Sequence, residues 1–516
     1  MHQALLIDEI LAIILDSCAE SISLSRIART CQAWKEPALD RVWFRLDSFK
    51  PLLELIPGLL SVNGVYMLES PLNPDFRRLR HYASRVKQIA YRQNLQIHPS
   101  FLSLLLQDNS VSLIFQKLST VQLSLANCHA VCSIISLSTG LQKVDLDLGF
   151  TTSAKFKTVN RTALNFISTV DRVSTCFTSL SLRGATSGSV MSAVNGLSRL
   201  ESLCLCVGAS LPAETLAAIA TFPRLRELEI QTSHLRPDDL HFSPSNCFPS
   251  LEVLDIRGRT GIIEKLLRNM QSDRLVVLRI EVELLSSSDD TWNGLFDAIK
   301  NKTHSSLLEL AIEHHMDADD LFLNDDTPSS SDTTSTAPIM NYNLPRTNPN
   351  ALLRFDHLTS LSNHHSIRRL LFETTPPVLL QDQDLEKMVQ WWPNLEHLDL
   401  GSLLTFDQRW SPKITAAALV TIARGFPVLD SLVIPVNING LTHETPIKFS
   451  QNPNASLHHI TLTALTPPDQ SVTHLLHRLF PSLLDIQGTP GHEEDWSRVQ
   501  DGFHLLRARY SNTAIS

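Results

Sequence analysis

The stretch Phe222-Pro223-Arg224-Leu225-Arg226-Glu227-Leu228-Glu229-Ile230 decides the fold. Its aliphatic residues at 225, 228 and 230 begin at helical spacing and end in the two-residue alternation of a short strand, with Phe-Pro terminating whatever precedes them. The unit recurs. Phe248-Pro249-Ser250-Leu251 leads to Leu254 and Ile256, Trp392-Pro393-Asn394-Leu395 to Leu398 and Leu400, Phe426-Pro427-Val428-Leu429 to Leu432 and Ile434, and Phe480-Pro481-Ser482-Leu483 to Ile486. Copies without the aromatic-Pro lead start at Leu118, Leu141, Phe177, Leu200, Leu275, Leu307, Ile367 and Leu457.

Three aliphatics at fixed offsets are common by chance in a Leu-rich chain, so the spacing carries the reading. Starts at 177, 200, 225, 251 and 275 are 23, 25, 26 and 24 residues apart, inside the range of leucine-rich repeats. Between the strand motifs lie helix-like runs such as Glu214–Ala220, Ile262–Met270, Trp292–Ile299, Leu385–Trp391, Ile414–Ala423 and Val472–Leu479. Ser411-Pro412 and Pro467-Pro468-Asp469 supply helix start signals. The expected fold is α/β: strand-helix units stacked into a horseshoe-like solenoid, with a parallel inner sheet and the helices outside.

Composition bounds the function. With 44 basic and 53 acidic residues the net charge is −9, and without a dense basic block nucleic acid is not expected as a partner. No apolar run reaches the 18 or so residues of a membrane span, and Asp8, Glu9 and Asp16 stand where a signal peptide needs a basic and then an apolar run. A cytoplasmic or nuclear protein is expected, with no membrane partner. The eight cysteines include no C-x-x-C pair, so reduced thiols are expected rather than a disulfide framework or a zinc module.

The N-terminus differs from the rest. Leu6, Ile10 and Ile14 share one face of a short amphipathic helix; Leu24, Ile27, Cys31 and Trp34 share one face of a second; Pro37 precedes a third turn carrying Val42 and Trp43. These stripes are too large for so small a unit to bury alone. Leu6-x-x-Glu9-Ile10-x-x-x-Ile14, Leu24-x-x-Ile27-Ala28-x-x-Cys31-x-x-Trp34, and Pro37-Ala38-Leu39-Asp40 running into Trp43 together resemble an F-box followed by leucine-rich repeats, of the type abundant in mushroom-forming fungi. Where family members carry Pro after the first Leu, this chain has Ile7.

The resemblance implies a substrate-receptor subunit of a Skp-cullin-F-box ubiquitin ligase. The F-box would pack on the Skp-type adaptor, and through it a cullin-RING ligase, by Leu6, Glu9, Ile10, Ile14, Ile27, Cys31, Trp34 and Trp43, while the repeats hold an unknown protein substrate. The alternatives are a leucine-rich-repeat protein-binding scaffold with no link to ubiquitin, its N-terminal helices merely capping the solenoid, and an enzyme with an unrecognised site.

The expected domains are 1–47, an F-box-like helical unit; 48–117, transitional helices (Leu52–Leu60, Phe101–Leu106) and a first strand at Val86-x-x-Ile89-x-Tyr91; 118–486, the solenoid; and 487–516, a C-terminal cap in which Trp496, Val499, Phe503 and Leu506 form one apolar helix face. The repeat spacing breaks between Leu307 and Ile367. Within that interval 317–350 is rich in Asp, Ser and Thr and poor in apolar anchors, the composition of a disordered insertion.

No P-loop, dinucleotide, nucleophile-elbow, H-E-x-x-H or kinase pattern is present. No catalytic residue, metal or cofactor is expected, and the chain is read as a non-enzyme. In the pairs His314-His315, His364-His365 and His458-His459, neighbours on a strand point to opposite faces and cannot easily share a metal, so they are expected to be surface or loop histidines. Cys204 and Cys206 share a strand face, but without a second pair they read as small filler residues rather than metal ligands. Residues between the inward aliphatics should line the concave face. From 141 to 399 these are the acids Asp145, Asp147, Glu227, Glu229, Asp255, Glu281, Glu309, Glu313, Glu373 and Asp399 and the bases Lys143, Arg183, Arg257, Arg279 and Arg369. Of these Asp145, Asp147, Glu227, Glu229, Asp255, Arg257, Arg279 and Glu281 are the candidate substrate-binding residues, on a surface suited to a basic protein segment.

Overall fold

The computed structural model describes residues 7–18, 20–69, 75–92, 96–107, 114–126, 129–150, 155–242, 246–283, 292–303, 306–315, 353–375, 378–401, 412–438, 453–489 and 491–513. Leu6, Ser411 and the insertion expected at 317–350 lie outside these residues. The chain divides into two compact units, residues 1–234 with 239–249, and residues 235–238 with 250–516.

Every repeat start found in the sequence is followed by a strand. In the first unit these are β6 (Thr120–Ser124), β7 (Lys143–Gly149), β8 (Ser179–Gly184), β9 (Ser202–Cys206) and β10 (Glu227–Gln231); ahead of them stand β4 (Gln88–Tyr91), at the expected first strand, and β1 (Arg45–Leu46), which no repeat start announces, and all pair in parallel in the order β1, β4, β6, β7, β8, β9, β10. β2 (Leu59–Val62), β3 (Val65–Leu68) and β5 (Gln96–Ile97) form a separate small sheet. The second unit carries β11 (Val253–Gly258), β12 (Val277–Val282), β13 (Glu309–His314), β14 (Arg369–Thr374), β15 (His397–Asp399), β16 (Ser431–Pro435), β17 (His459–Thr463) and β18 (Asp485–Gly488), again parallel and in order. A helix follows most of these strands, as a parallel crossover requires. This is the α/β architecture of leucine-rich repeats.

Burial alternates along most strands of the parallel sheets, as in Glu227 to Ile230, where Leu228 and Ile230 are buried and Glu227 and Glu229 exposed. The aliphatics face the helices and the polar residues face away from them. All five aromatic-Pro leads bury their rings: Phe222, Phe248, Trp392, Phe426 and Phe480. At the C-terminal end the helix Glu493–Thr513 buries Trp496, Val499 and Phe503, and the Gln500 side chain accepts a hydrogen bond from the Ile486 backbone N–H at 3.2 Å, satisfying a donor of the last strand. Gly488 is needed here, since a Cβ would lie 2.0 Å from Trp496 Nε1.

Three expectations are corrected. The apolar run Leu52–Leu60 is helical only over Lys50–Leu53. Gly58 at φ +74° stands just before β2, and Asn63-Gly64, both at positive φ, turn β2 back on β3, the type I′ hairpin signal. The N-terminal unit has three helices, α1 (Asp8–Asp16), α2 (Ser21–Ile27) and α3 (Gln32–Val42). Cys31, in extended conformation, caps α3 rather than continuing α2, and Pro37 lies inside α3 rather than ahead of it. Leu24, Ile27 and Trp34 still meet, because two helices pack rather than because one carries them all. Finally, the helix start near Ser411 falls at Thr415, whose hydroxyl accepts from the Ala417 N–H at 3.2 Å.

α3 is fastened to the repeats of its own unit. The Arg85 guanidinium, 10% exposed, donates to both Glu36 and Asp40 of α3. Trp43 packs against Tyr82 with ring centroids 4.9 Å apart and the rings tilted by 33°. Arg85→Ala is expected to cost about 1 kcal/mol, below a buried ion pair because both carboxylates keep solvent contact. Hydrogen exchange should speed up across α3 while β6 to β9 stay protected; uniform change across the unit, or none, would contradict this fastening.

Candidate functional site

The helix-free face of the first unit is built in rows by strand register. Asp145, Ser181, Cys204 and Glu229 lie side by side in one row, and Asp147, Arg183 and Cys206 in the next. Asp145 is half-buried and Asp147, Glu227 and Glu229 are exposed. Burial pushes the Asp145 carboxyl above its ordinary range, opposed by a hydrogen bond with Ser181. Cys204 and Cys206 are half-buried, with sulfurs 3.7 Å apart, and the Cys206 thiol donates to Glu229 Oε1 at 3.3 Å. The hydrogen bond between the two sulfurs holds Cys204 protonated and lowers Cys206.

In the second unit the register sets Asp255 beside Arg279 and Arg257 beside Glu281. Its charges pair with one another: Arg257 with Glu281 at 3.1 Å and Glu283 at 2.6 Å, and Glu309 with Arg279 at 2.8 Å and Arg369 at 3.3 Å. Arg257 and Glu281 thus belong to one ion-pair cluster and Arg279 to another, so part of the acidic charge on this face is engaged across strands.

The candidate adaptor residues separate into groups. Leu11, Leu15, Leu24 and Ala38 form the core of the helical unit, with Ile27 and Trp34 packed against it. Ile14 and Cys31 are half-buried, Trp43 is held against Tyr82, and Glu9 and Ile10 face solvent. Beside them are aliphatics that the helical stripe did not single out: Ile7 is 47% exposed, Ile13 67% and Ile22 65%, against 37% for Ile10.

Several side chains that join one repeat to the next carry no motif in the sequence. The hydroxyls of Ser174, Ser272, Ser306 and Ser366 donate to the carbonyls of Leu141, Leu251, Leu275 and Leu307 at 2.7 to 2.9 Å. Asn454 does the same to Phe426 at 2.7 Å. Each lies one to three residues before a repeat start and satisfies a carbonyl that the turn leaves without a strand partner. The paired histidines are not uniformly on the surface. His315, His365 and His459 are exposed, but His314 is buried against the Val282 carbonyl and His364 against the Thr303 hydroxyl. No described helix is long and apolar enough to cross a membrane.

No family model matches this sequence, and no curated protein matches it. Solved structures do. The chain is similar to a structure of the yeast Rad7 and Elc1 complex at TM-score 0.34 and 13% identity, covering 92% of this chain and 95% of that one. It is similar to the leucine-rich repeat-containing protein LegL7 from Legionella pneumophila at TM-score 0.32 and 11% identity, over 72% and 93% of the two chains. A leucine-rich repeat protein from Bacteroides thetaiotaomicron gives TM-score 0.23 and 11% identity, over 72% and 40%. None of these decides a function for this chain.

Asp399 stands apart on the helix-free face of the second unit. Leu371 and Val433 flank it in the register, and burial pushes its carboxyl up to about 6 despite a 2.8 Å hydrogen bond from the Gly401 N–H. The fold disfavours the ionised form, so the favourable state exists below the ordinary carboxylate range and is lost as pH rises through about 6. Asp399→Asn should therefore stabilise the protein by up to about 2 kcal/mol near pH 8 and by little near pH 4, as read from urea midpoints at the two pH values. An equal effect at both would contradict the burial account.

Proposed function

We propose that this chain is the substrate-receptor subunit of a Skp-cullin-F-box ubiquitin ligase, with an F-box-like unit at 1–47, a transitional region at 48–117, a repeat region at 118–486 and a cap at 487–516. The observation that carries this reading is the set of exposed aliphatics Ile7 at the N-cap of α1, Ile10 and Ile13 on α1 and Ile22 on α2, on a unit whose own core is already closed by Leu11, Leu15, Leu24 and Ala38. A helical cap on a solenoid has no need of aliphatics on its outer side. Glu9, Ile10 and these neighbours would touch the Skp-type adaptor, with Ile14, Ile27, Cys31 and Trp34 shaping the surface from behind and Trp43 orienting it through Tyr82. The cytoplasm or nucleus is where such an adaptor would be met.

Trp34→Asp would unfold the helical unit, so the informative variant changes exposed residues only. Ile10→Asp with Ile13→Asp should weaken adaptor binding at least ~10-fold, which is about 1.4 kcal/mol, while the far-ultraviolet circular dichroism is unchanged. Undiminished co-purification with the adaptor would leave the chain as a leucine-rich-repeat scaffold without a link to ubiquitin.

The substrate would lie on the helix-free face of the first unit and carry a basic segment, matching Asp145, Asp147, Glu227 and Glu229. Asp147→Lys with Glu227→Lys should abolish capture of Lys- and Arg-rich sequences on a peptide array and flatten its salt dependence. Retention of both would remove this face as the binding surface.

A further inference from the structure

We propose that Cys204, Cys206 and Glu229 bind a thiophilic divalent cation of the zinc class on the helix-free face of the first unit. The two cysteines lie two residues apart on β9, so their sulfurs emerge on the same side of the sheet. Parallel register with β10 sets Glu229 opposite Cys204, a neighbour that no spacing within either strand announces. The three donor atoms lie within 4.8 Å of one another, with the sulfurs 3.7 Å apart and Cys206 Sγ 3.3 Å from Glu229 Oε1.

Those separations are the edges of a small tetrahedron. Bonds of about 2.3 Å from zinc to sulfur and about 2.1 Å to a carboxylate oxygen require about 3.8 Å between sulfurs and about 3.6 Å between sulfur and oxygen. The two edges at Cys206 already match to within a few tenths of an ångström, and the remaining one, from Cys204 to Glu229, lies within 4.8 Å, so rotation of the Glu229 side chain by up to about an ångström seats a cation without movement of the strands. It occupies the position where the thiol hydrogen bonds now run; each thiol releases its proton to solvent as its sulfur bonds the metal. Two thiolates and a carboxylate around a divalent ion leave one residual negative charge, and Arg183, in register opposite Cys206 on β8, is placed to balance it. Thiolate donors favour zinc, cadmium and copper(I) over magnesium or calcium. Three protein ligands leave the fourth tetrahedral position to water or to a donor from a bound molecule. Among the described residues no other group of His, Cys, Asp and Glu side chains converges in this way.

The full-length protein, stripped with chelator and kept in a phosphine reductant, would be titrated with cadmium chloride. The cadmium-thiolate charge-transfer band and equilibrium dialysis together report the sulfurs engaged and the stoichiometry. One cadmium per chain with a thiolate band is expected, displaceable by zinc. C204S/C206S should lose both the band and the bound equivalent, although six other cysteines remain. E229Q should keep the band but bind at least ~10-fold more weakly, since even outer-sphere partners are worth that much. Absence of a band in the wild type, or unchanged binding by C204S/C206S, would overturn the site; unchanged affinity of E229Q would overturn the three-ligand geometry. Circular dichroism reports whether the double variant folds, and C206S alone serves if it does not.

Discussion

The structure depends on rows of aliphatic side chains that no single repeat can cover. Within the first unit Val121, Val144, Leu180, Leu203 and Leu228 form one buried row across neighbouring strands; within the second, Leu254, Leu278, Leu310, Leu370, Leu398, Leu432, Ile460 and Ile486 form another. Each side chain is sealed by the repeats on either side, so the roughly 25 cal/mol per Å² of apolar burial is gained only on stacking. A backbone ladder runs beside the rows: Val276, Leu308, Arg368, Glu396, Asp430 and His458 each accept, through their carbonyls, from the N–H of the equivalent residue one repeat on. What lies between strands is less constrained. Sixty residues separate Leu307 from Ile367, yet Glu309 and Arg369 pair in the same register as their counterparts elsewhere.

This explains what could be read in the sequence. The rows impose a fixed offset between Leu225, Leu228 and Ile230 in every repeat, and the aromatic-Pro leads mark where each turn begins, so strand positions were legible from periodicity alone. The N-terminal helices were legible as apolar segments but not in detail. Whether α1 buries Ile14 or Leu15 depends on how α3 packs on it, which no local pattern contains. The Asn63-Gly64 hairpin lay inside a stretch too short to show alternation. The bridging hydroxyls of Ser174, Ser272, Ser306 and Ser366 occupy shifting offsets from the repeat start and carry no pattern of their own.

The surfaces were legible only in outline. A tally of charged positions between inward aliphatics finds the right face, yet it cannot tell an acid paired across a strand from one that is not. Glu281 and Glu309 bond to arginines on neighbouring strands, whereas Asp399 is held between two aliphatics and resists ionisation. Both outcomes follow from cross-strand register, which sets the environment of a side chain one repeat away in space and more than twenty residues away in sequence. The Cys204, Cys206 and Glu229 cluster is a product of the same geometry.

Only Trp43 and Phe44 stand between the end of α3 and the start of β1. Because β1 is itself a strand of the first sheet, paired to β4, no flexible tether joins the helical unit to the repeats beside it. A molecule held on α1 and α2 would therefore be positioned by fixed bond geometry rather than by the statistics of a random coil, and its encounter with anything held on the adjoining strands would not fall off with the length of a linker. In this chain the reach between those two surfaces is measured in repeats.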